Sequence, residues 1–102
     1  GIMCMGGYGI VSVASNIMGI QIKKMMGLIL EGDIELAAKE HHRMLPIFKA
    51  LFWVTNPVPI KYSVNKAGFD AGEPRLPMVS ADKAFRDKFD PVLNNYGMDL
   101  PV

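Results

Sequence analysis

The sequence holds one cysteine, one tryptophan and two histidines among 102 residues, and no charged side chain precedes Lys23. Cys4 alone forms no internal disulfide, which suits a reducing compartment. With one cysteine, the pair His41-His42 lacks the ligand set of a structural zinc site, and two adjacent residues on a helix do not face the same ion. Charge of one sign is also missing: eleven Lys and Arg against ten Asp and Glu leave +1. There is accordingly no electrostatic case for a nucleic-acid or anionic-membrane partner. Long hydrophobic runs are absent too. The apolar stretch over residues 9–30 is broken by Ser12, Ser15, Asn16, Gln21 and two lysines, so it does not predict a bilayer span. Its first positive charges follow the apolar core, whereas a secretory signal places them before it.

What is present is apolar bulk. Hydrophobic residues make up 50% of the chain, enough for one core and too many for a disordered segment. Residues 9–13, Gly-Ile-Val-Ser-Val, are apolar and β-branched between glycines and Ser15-Asn16, which predicts a buried strand. Ile22, Met25, Met26 and Ile29 then recur at helical spacing, predicting a helix over about residues 19–31 with Gly32 as its C-terminal cap. Asp33 is expected to cap a second helix reaching about Trp53, with Ile34, Ala37, Ala38, His41, Leu45, Phe48 and Phe52 on its apolar face. Pro46 lacks an amide hydrogen and crowds the His42 carbonyl, so a kink is expected there.

Asn56 as cap and Pro57 at the first helical position open a third helix that ends at Gly68. Residues 69–79, with Gly72, Pro74 and Pro77, read as a surface loop. Ser80 is expected to cap a last helix over about residues 81–96, in which Phe85, Phe89 and Leu93 form the stripe, Pro91 interrupts and Gly97 closes. One strand followed by four helices leaves the strand without a lateral partner, and an unpaired ladder costs more than a lone helical layer returns. The chain is therefore expected to begin mid-fold.

Few residues point to chemistry on their own. Gly6-Gly7-Tyr8-Gly9 precedes a strand, whereas a phosphate loop follows one, so a tight turn is the expectation. Lys61, after a proline-rich turn, is expected to tie the C-terminal helices down rather than to react. Arg75 is expected to satisfy helix carbonyls or a carboxylate. Cys4 has no visible base and is expected to behave as a buried small hydrophobe. The eight methionines are expected to fill gaps in the core.

Three segments carry a more specific signal. Met5-Gly6-Gly7-Tyr8-Gly9-Ile10-Val11-Ser12-Val13-Ala14-Ser15-Asn16 resembles an "LGGxGVISVxSN" motif. Thr55-Asn56-Pro57-Val58-Pro59-Ile60-Lys61 resembles "TNPIPVK", and Arg75-Leu76-Pro77-Met78 resembles "LRLPL". All three belong, in this order and spacing, to the dihydrodipicolinate synthase family of the pyruvate-dependent aldolases. Glu31-Gly32-Asp33 and Met44-Leu45-Pro46 also match.

The resemblance implies an α/β fold, the C-terminal third of a (β/α)8 barrel whose usual size is roughly 250 residues. Residues 1–31 would be the last β/α unit and residues 32–102 the C-terminal helical region. It implies a lysine that forms a Schiff base with pyruvate and an enamine that adds to aspartate semialdehyde, with no further cofactor and no metal. That lysine, its tyrosine and the side chains that hold the substrates would precede Gly1. Val11 would present its main-chain carbonyl to pyruvate, its side chain serving as barrel core. Cys4 and Met5 would lie near the weaker interface of a homotetramer, in a cytoplasmic enzyme, or a plastid one if the source is a plant. A sugar-acid aldolase of the same superfamily and a non-catalytic helical interaction module are the alternatives.

Overall fold

The computed structural model describes residues 1–100. A single 3-10 turn at Met3–Met5 leads through residues 7–12, which have no regular structure, into four helices. These are α1 (Ser15–Leu30), α2 (Ile34–Ala50), α3 (Val58–Lys66) and α4 (Lys83–Asn94). The expected strand over residues 9–13 does not form. A ladder needs a partner backbone, and no other described segment lies alongside; the Val11 side chain is fully exposed (107%) instead of buried.

α1 begins at Ser15, earlier than predicted, because Ser15 and Asn16 start the helix rather than end a strand turn. It stops where the sequence indicates. Gly32 takes φ +87°, and the Gly32 and Asp33 amides close on the Ile29 and Leu28 carbonyls at 3.1 and 2.8 Å. The same Asp33 then caps α2, its Oδ1 accepting from the Leu36 amide at 3.0 Å. Pro46 lies inside α2, which runs through it as one helix; the break in helical geometry falls in α1 instead, at Met18 (φ −138°, ψ 32°). α3 starts one residue later than predicted: Pro57 is the residue before the helix, Asn56 supplies no side-chain cap, and Pro59 is the proline of the first turn. α4 is capped by Asp82 rather than Ser80. The Asp82 Oδ1 accepts from the Phe85 amide at 2.7 Å, and a carboxylate at the positive end of a helix outcompetes a hydroxyl two residues earlier.

The core gathers Ile17, Met18 and Ile22 of α1, Met44 and Ile47 of α2 with Leu51 beyond it, Ile60 of α3, and Phe85, Phe89 and Leu93 of α4. The α4 stripe is the predicted one. On α2 the buried line is Ala37, Met44, Ile47 and Leu51, so the face is rotated from the expected one. Ile34, His41 and Phe52 are exposed and Phe48 is half-buried. That second apolar line, together with Met25 and Ile29 of α1, borders open hollows, one of about 210 Å³ that also contains Ile10 and Phe48. Met18 and Met44 fill the core as expected, whereas Met5 is 90% exposed.

The third and fourth helices are locked by a small polar cluster. Tyr62 Oη donates to the Asp90 carboxylate at 2.9 Å, and Lys66 Nζ pairs with Asp90 Oδ1 at 2.8 Å. Desolvation pushes the Asp90 carboxyl up, but the Lys66 and Tyr62 hydrogen bonds, with the Lys66 and Arg86 charges, outweigh it and hold the carboxyl below its usual value. Burial, then the Asp90 bond, raises Tyr62; the Asp90 bond raises Lys66 against desolvation. A depressed carboxyl stabilises the fold above the unfolded Asp value of about 3.9 and loses that contribution as pH falls through the folded value. Asp90→Asn is accordingly expected to cost about 1 kcal/mol at neutral pH. In urea denaturation the gap between the two proteins should shrink as the pH is taken below about 4; a gap that stays constant would remove the ionic contribution.

Candidate functional site

The segment carrying Val11 is fastened at both ends. At its start the Gly7 amide closes on the Ile2 carbonyl at 2.9 Å. A Cβ on Gly7 would stand 2.7 Å from that carbonyl oxygen, so a side chain there opens the turn. At its end Ser15 and Asn16 reach back by side chain as well as backbone. Ser15 Oγ donates to the Ser12 carbonyl at 2.6 Å and Asn16 Nδ2 to the Val13 carbonyl at 3.0 Å; the backbone amides of both residues close on the same two oxygens at 3.2 Å. The Ser12 and Val13 carbonyls are thereby taken. The Val11 carbonyl accepts no hydrogen bond from a described residue, which leaves it available to a ligand. The sequence signal for these fasteners is the Ser-Asn pair, which reads from sequence as a simple turn.

Val11 to Ala14 form one wall of an open cleft of about 290 Å³, with Phe48 and Phe52 opposite. A second hollow, of about 320 Å³, lies elsewhere, between Thr55, Val58, Met78, Asp82 and Phe85. It shares no lining residue with the Val11 cleft.

The other expected residues fall as follows. Lys61 Nζ donates to the Ala71 carbonyl at 2.5 Å and the Glu73 carbonyl at 3.4 Å, so it ties α3 to the loop that follows it. Asn65 pins the same loop from both sides, donating to the Gly72 carbonyl at 3.2 Å and accepting from the Ala71 amide at 2.7 Å. Arg75 is exposed and makes no side-chain hydrogen bond or ion pair with a described residue, contrary to expectation. Cys4 is exposed rather than buried, since the 3-10 turn at Met3–Met5 buries none of its residues. Met5 is exposed beside it. His41 and His42 are exposed with ring centroids 5.9 Å apart, and His41 faces Phe48 at 6.1 Å. Among the described residues no group of three metal-ligating side chains assembles, and no helix is long and apolar enough to cross a membrane.

The segment over residues 7–12 thus runs into α1; α2 and α3 pack on α1, and α4 packs on α2. The chain matches the model of the dihydrodipicolinate synthetase family over residues 1–96, and it belongs to that family. The 4-hydroxy-tetrahydrodipicolinate synthase of Thermosynechococcus vestitus is 43% identical over 97 residues, a match covering 95% of this chain and 33% of that protein. The synthase of Dehalococcoides mccartyi strain 195 is 43% identical over 100 residues, covering 98% of this chain and 34% of its own. The crystal structure of dihydrodipicolinate synthase from Aquifex aeolicus superposes with TM-score 0.86 at 34% identity, over 98% of this chain and 34% of that one. A synthase described as the first monomeric variant superposes at 0.83 with 37% identity, over 90% and 31%. The chain thus spans about a third of the length of the relatives it matches.

Proposed function

We propose that these 102 residues form the C-terminal third of a Schiff-base lyase that condenses pyruvate with aspartate semialdehyde to 4-hydroxy-tetrahydrodipicolinate, in lysine and diaminopimelate biosynthesis. In that reaction a lysine amine attacks C2 of pyruvate and water leaves, giving an imine. Loss of a C3 proton gives the enamine, whose C3 attacks the aldehyde carbon of the second substrate. The part played here belongs to Val11, whose unclaimed carbonyl would hold the pyruvate end of the site while Ser15 and Asn16 keep the neighbouring carbonyls occupied. The family match over residues 1–96 is the observation that carries the reading.

Three further features support it. The accessible surface of 6664 Å² exceeds the roughly 5,700 Å² expected of a complete monomer of this mass. The radius of gyration of 14.7 Å exceeds the roughly 13 Å of a compact domain of this length. Exposed apolar side chains include Tyr8 (96%) and Val11 on the segment before α1 and Ile34 and Phe52 on or just beyond α2, where the remaining β/α units of a (β/α)8 barrel would pack. None of the lysines offers the desolvated amine that such chemistry needs: Lys61 is spent on carbonyls, and Lys66 is raised by Asp90. On this reading the Schiff-base lysine belongs outside these residues, and the 102-residue chain alone should be inactive. The enzyme would be cytoplasmic, or plastid in a plant.

A longer reading frame containing this chain should restore growth of a diaminopimelate auxotroph, and the 102-residue chain alone should not. Growth on the short chain, or none on the long one, refutes the assignment. For assembly we expect a homotetramer in which Cys4 and Met5 line the weaker interface. Met5→Asp should convert tetramer to dimer without unfolding, because an unpaired charge at a desolvated contact is strongly unfavourable. An intact tetramer in sedimentation velocity would leave Met5 with local packing only.

A further inference from the structure

The break in α1 is not an empty defect. In an unbroken helix the Gln21 amide would close on the Ile17 carbonyl, four residues back. Here each of those groups meets Asp99, from the far end of the chain. The Asp99 amide donates to the Ile17 carbonyl at 3.0 Å, and Asp99 Oδ2 accepts from the Gln21 amide at 2.9 Å. One residue is spliced into the ladder of a helix 78 positions away in sequence. Met18, which lies between the two ladder groups, carries the non-helical φ of −138°, as expected where an outside group enters the hydrogen-bond ladder.

The splice is braced on both sides. Gln21 Nε2 donates to the Gly97 carbonyl at 2.7 Å, and Arg43 Nη2 donates to Gln21 Oε1 at 2.9 Å. Arg43 is in turn held by Glu40 at 2.9 Å, and its backbone carbonyl accepts from Tyr96 Oη at 2.6 Å. The tail over residues 97–100 is thereby tied to α1 and α2 at once. The first turn of α1, ahead of the break, is the turn whose Ser15 and Asn16 side chains fasten the Ser12 and Val13 carbonyls. Whatever sets the angle between the two parts of α1 sets where that turn, and the Val11 carbonyl before it, stand relative to the helical layer.

We propose that Asp99 is a positioning residue: inserted into α1 between Ile17 and Gln21, it holds the helix bent and so fixes the placement of the Val11 carbonyl. The link to pyruvate rests on the function proposed above; the splice does not. Without the carboxylate, the Gln21 amide loses its acceptor while the Asp99 backbone stays in place, so the effect is local. Asp99→Asn keeps an acceptor oxygen of the same reach and should largely preserve the bend.

Residue-resolved amide exchange on the longer protein that contains this chain reads the splice. Asp99→Ala should speed exchange of Gln21 about tenfold, with Ile47 and Phe89 unchanged and Asp99→Asn close to wild type. Unchanged Gln21 exchange, or a uniform rise across all four helices, overturns the proposal. Steady-state kinetics on the longer enzyme read the consequence. Asp99→Ala should raise the KM for pyruvate about tenfold while kcat falls less, and Asp99→Asn should rescue it. An unmoved KM overturns the positioning role. A longer wild-type enzyme that does not turn over pyruvate at all refutes the proposed function, while the exchange result still decides the splice.

Discussion

Phe89→Ala should cost about 3–5 kcal/mol, the largest stability loss expected of a single substitution in this chain. Phe89 is fully buried in α4 and is the hub of an aromatic group. The Phe85 ring stacks on it at 4.9 Å, and Tyr62 of α3 and Trp53 of the α2–α3 turn meet it edge-on at 6.2 and 6.4 Å. Truncation removes the transfer free energy of the ring and leaves a cavity whose walls belong to separate elements and do not collapse together. A folded domain has only about 5–15 kcal/mol in total, so the loss is a large fraction of the stability. Val11→Ala is the control. Its side chain is fully exposed, so the change should stay within about 0.5 kcal/mol. Urea denaturation followed by far-ultraviolet dichroism compares the two; a loss below about 1 kcal/mol for Phe89→Ala would mean that α4 does not share the core.

Helices were legible in this sequence wherever a local stop or start signal coincided with periodicity. Gly32 and Asp33 fixed one boundary between them, since the glycine supplies the left-handed φ and the aspartate caps the next helix in the same two residues. The stripe Phe85, Phe89, Leu93 was legible because α4 has a single apolar face. α2 was not, because it has two: periodicity alone ranks Ile34, His41 and Phe48 with Ala37, Met44 and Ile47, and only packing against α1 and α4 decides which line is buried. The strand over residues 9–13 was read from β-branched composition, but pairing is a property of the whole sheet, and no described segment offers a partner.

The site was legible only through the motif. Nothing in the composition of residues 9–16 marks Val11; its significance lies in a backbone oxygen left free while Ser15 and Asn16 claim the next two. Asp99 and the Tyr62–Asp90–Lys66 cluster were silent for a different reason. Each depends on a contact across a long stretch of chain, 78 positions for Asp99 and 28 for Tyr62 to Asp90, which no local pattern encodes. Proline does not mark the break in helical geometry. Pro46 sits inside an α2 that continues through it, while α1 breaks without a proline where Asp99 enters.

The second large expected effect is all-or-none and bears on the central claim that these residues belong to a lyase whose reactive lysine they do not contain. An imine between pyruvate and an amine is trapped by borohydride as a stable secondary amine, two electrons and a proton being delivered to the imine carbon and a further proton to nitrogen. A general surface lysine is protonated at neutral pH and forms little imine, whereas a desolvated one reacts. Lys61 has its amine against two loop carbonyls and Lys66 is paired with Asp90, so both amines are already engaged within the chain. The deciding measurement is intact-mass and peptide spectrometry after pyruvate and borohydride, on the 102-residue chain and on a longer protein that contains it. One adduct per chain on the longer protein, at a lysine outside residues 1–102, with none on the short chain, is the expected result. An adduct on Lys61, or no adduct on the longer protein, would contradict it.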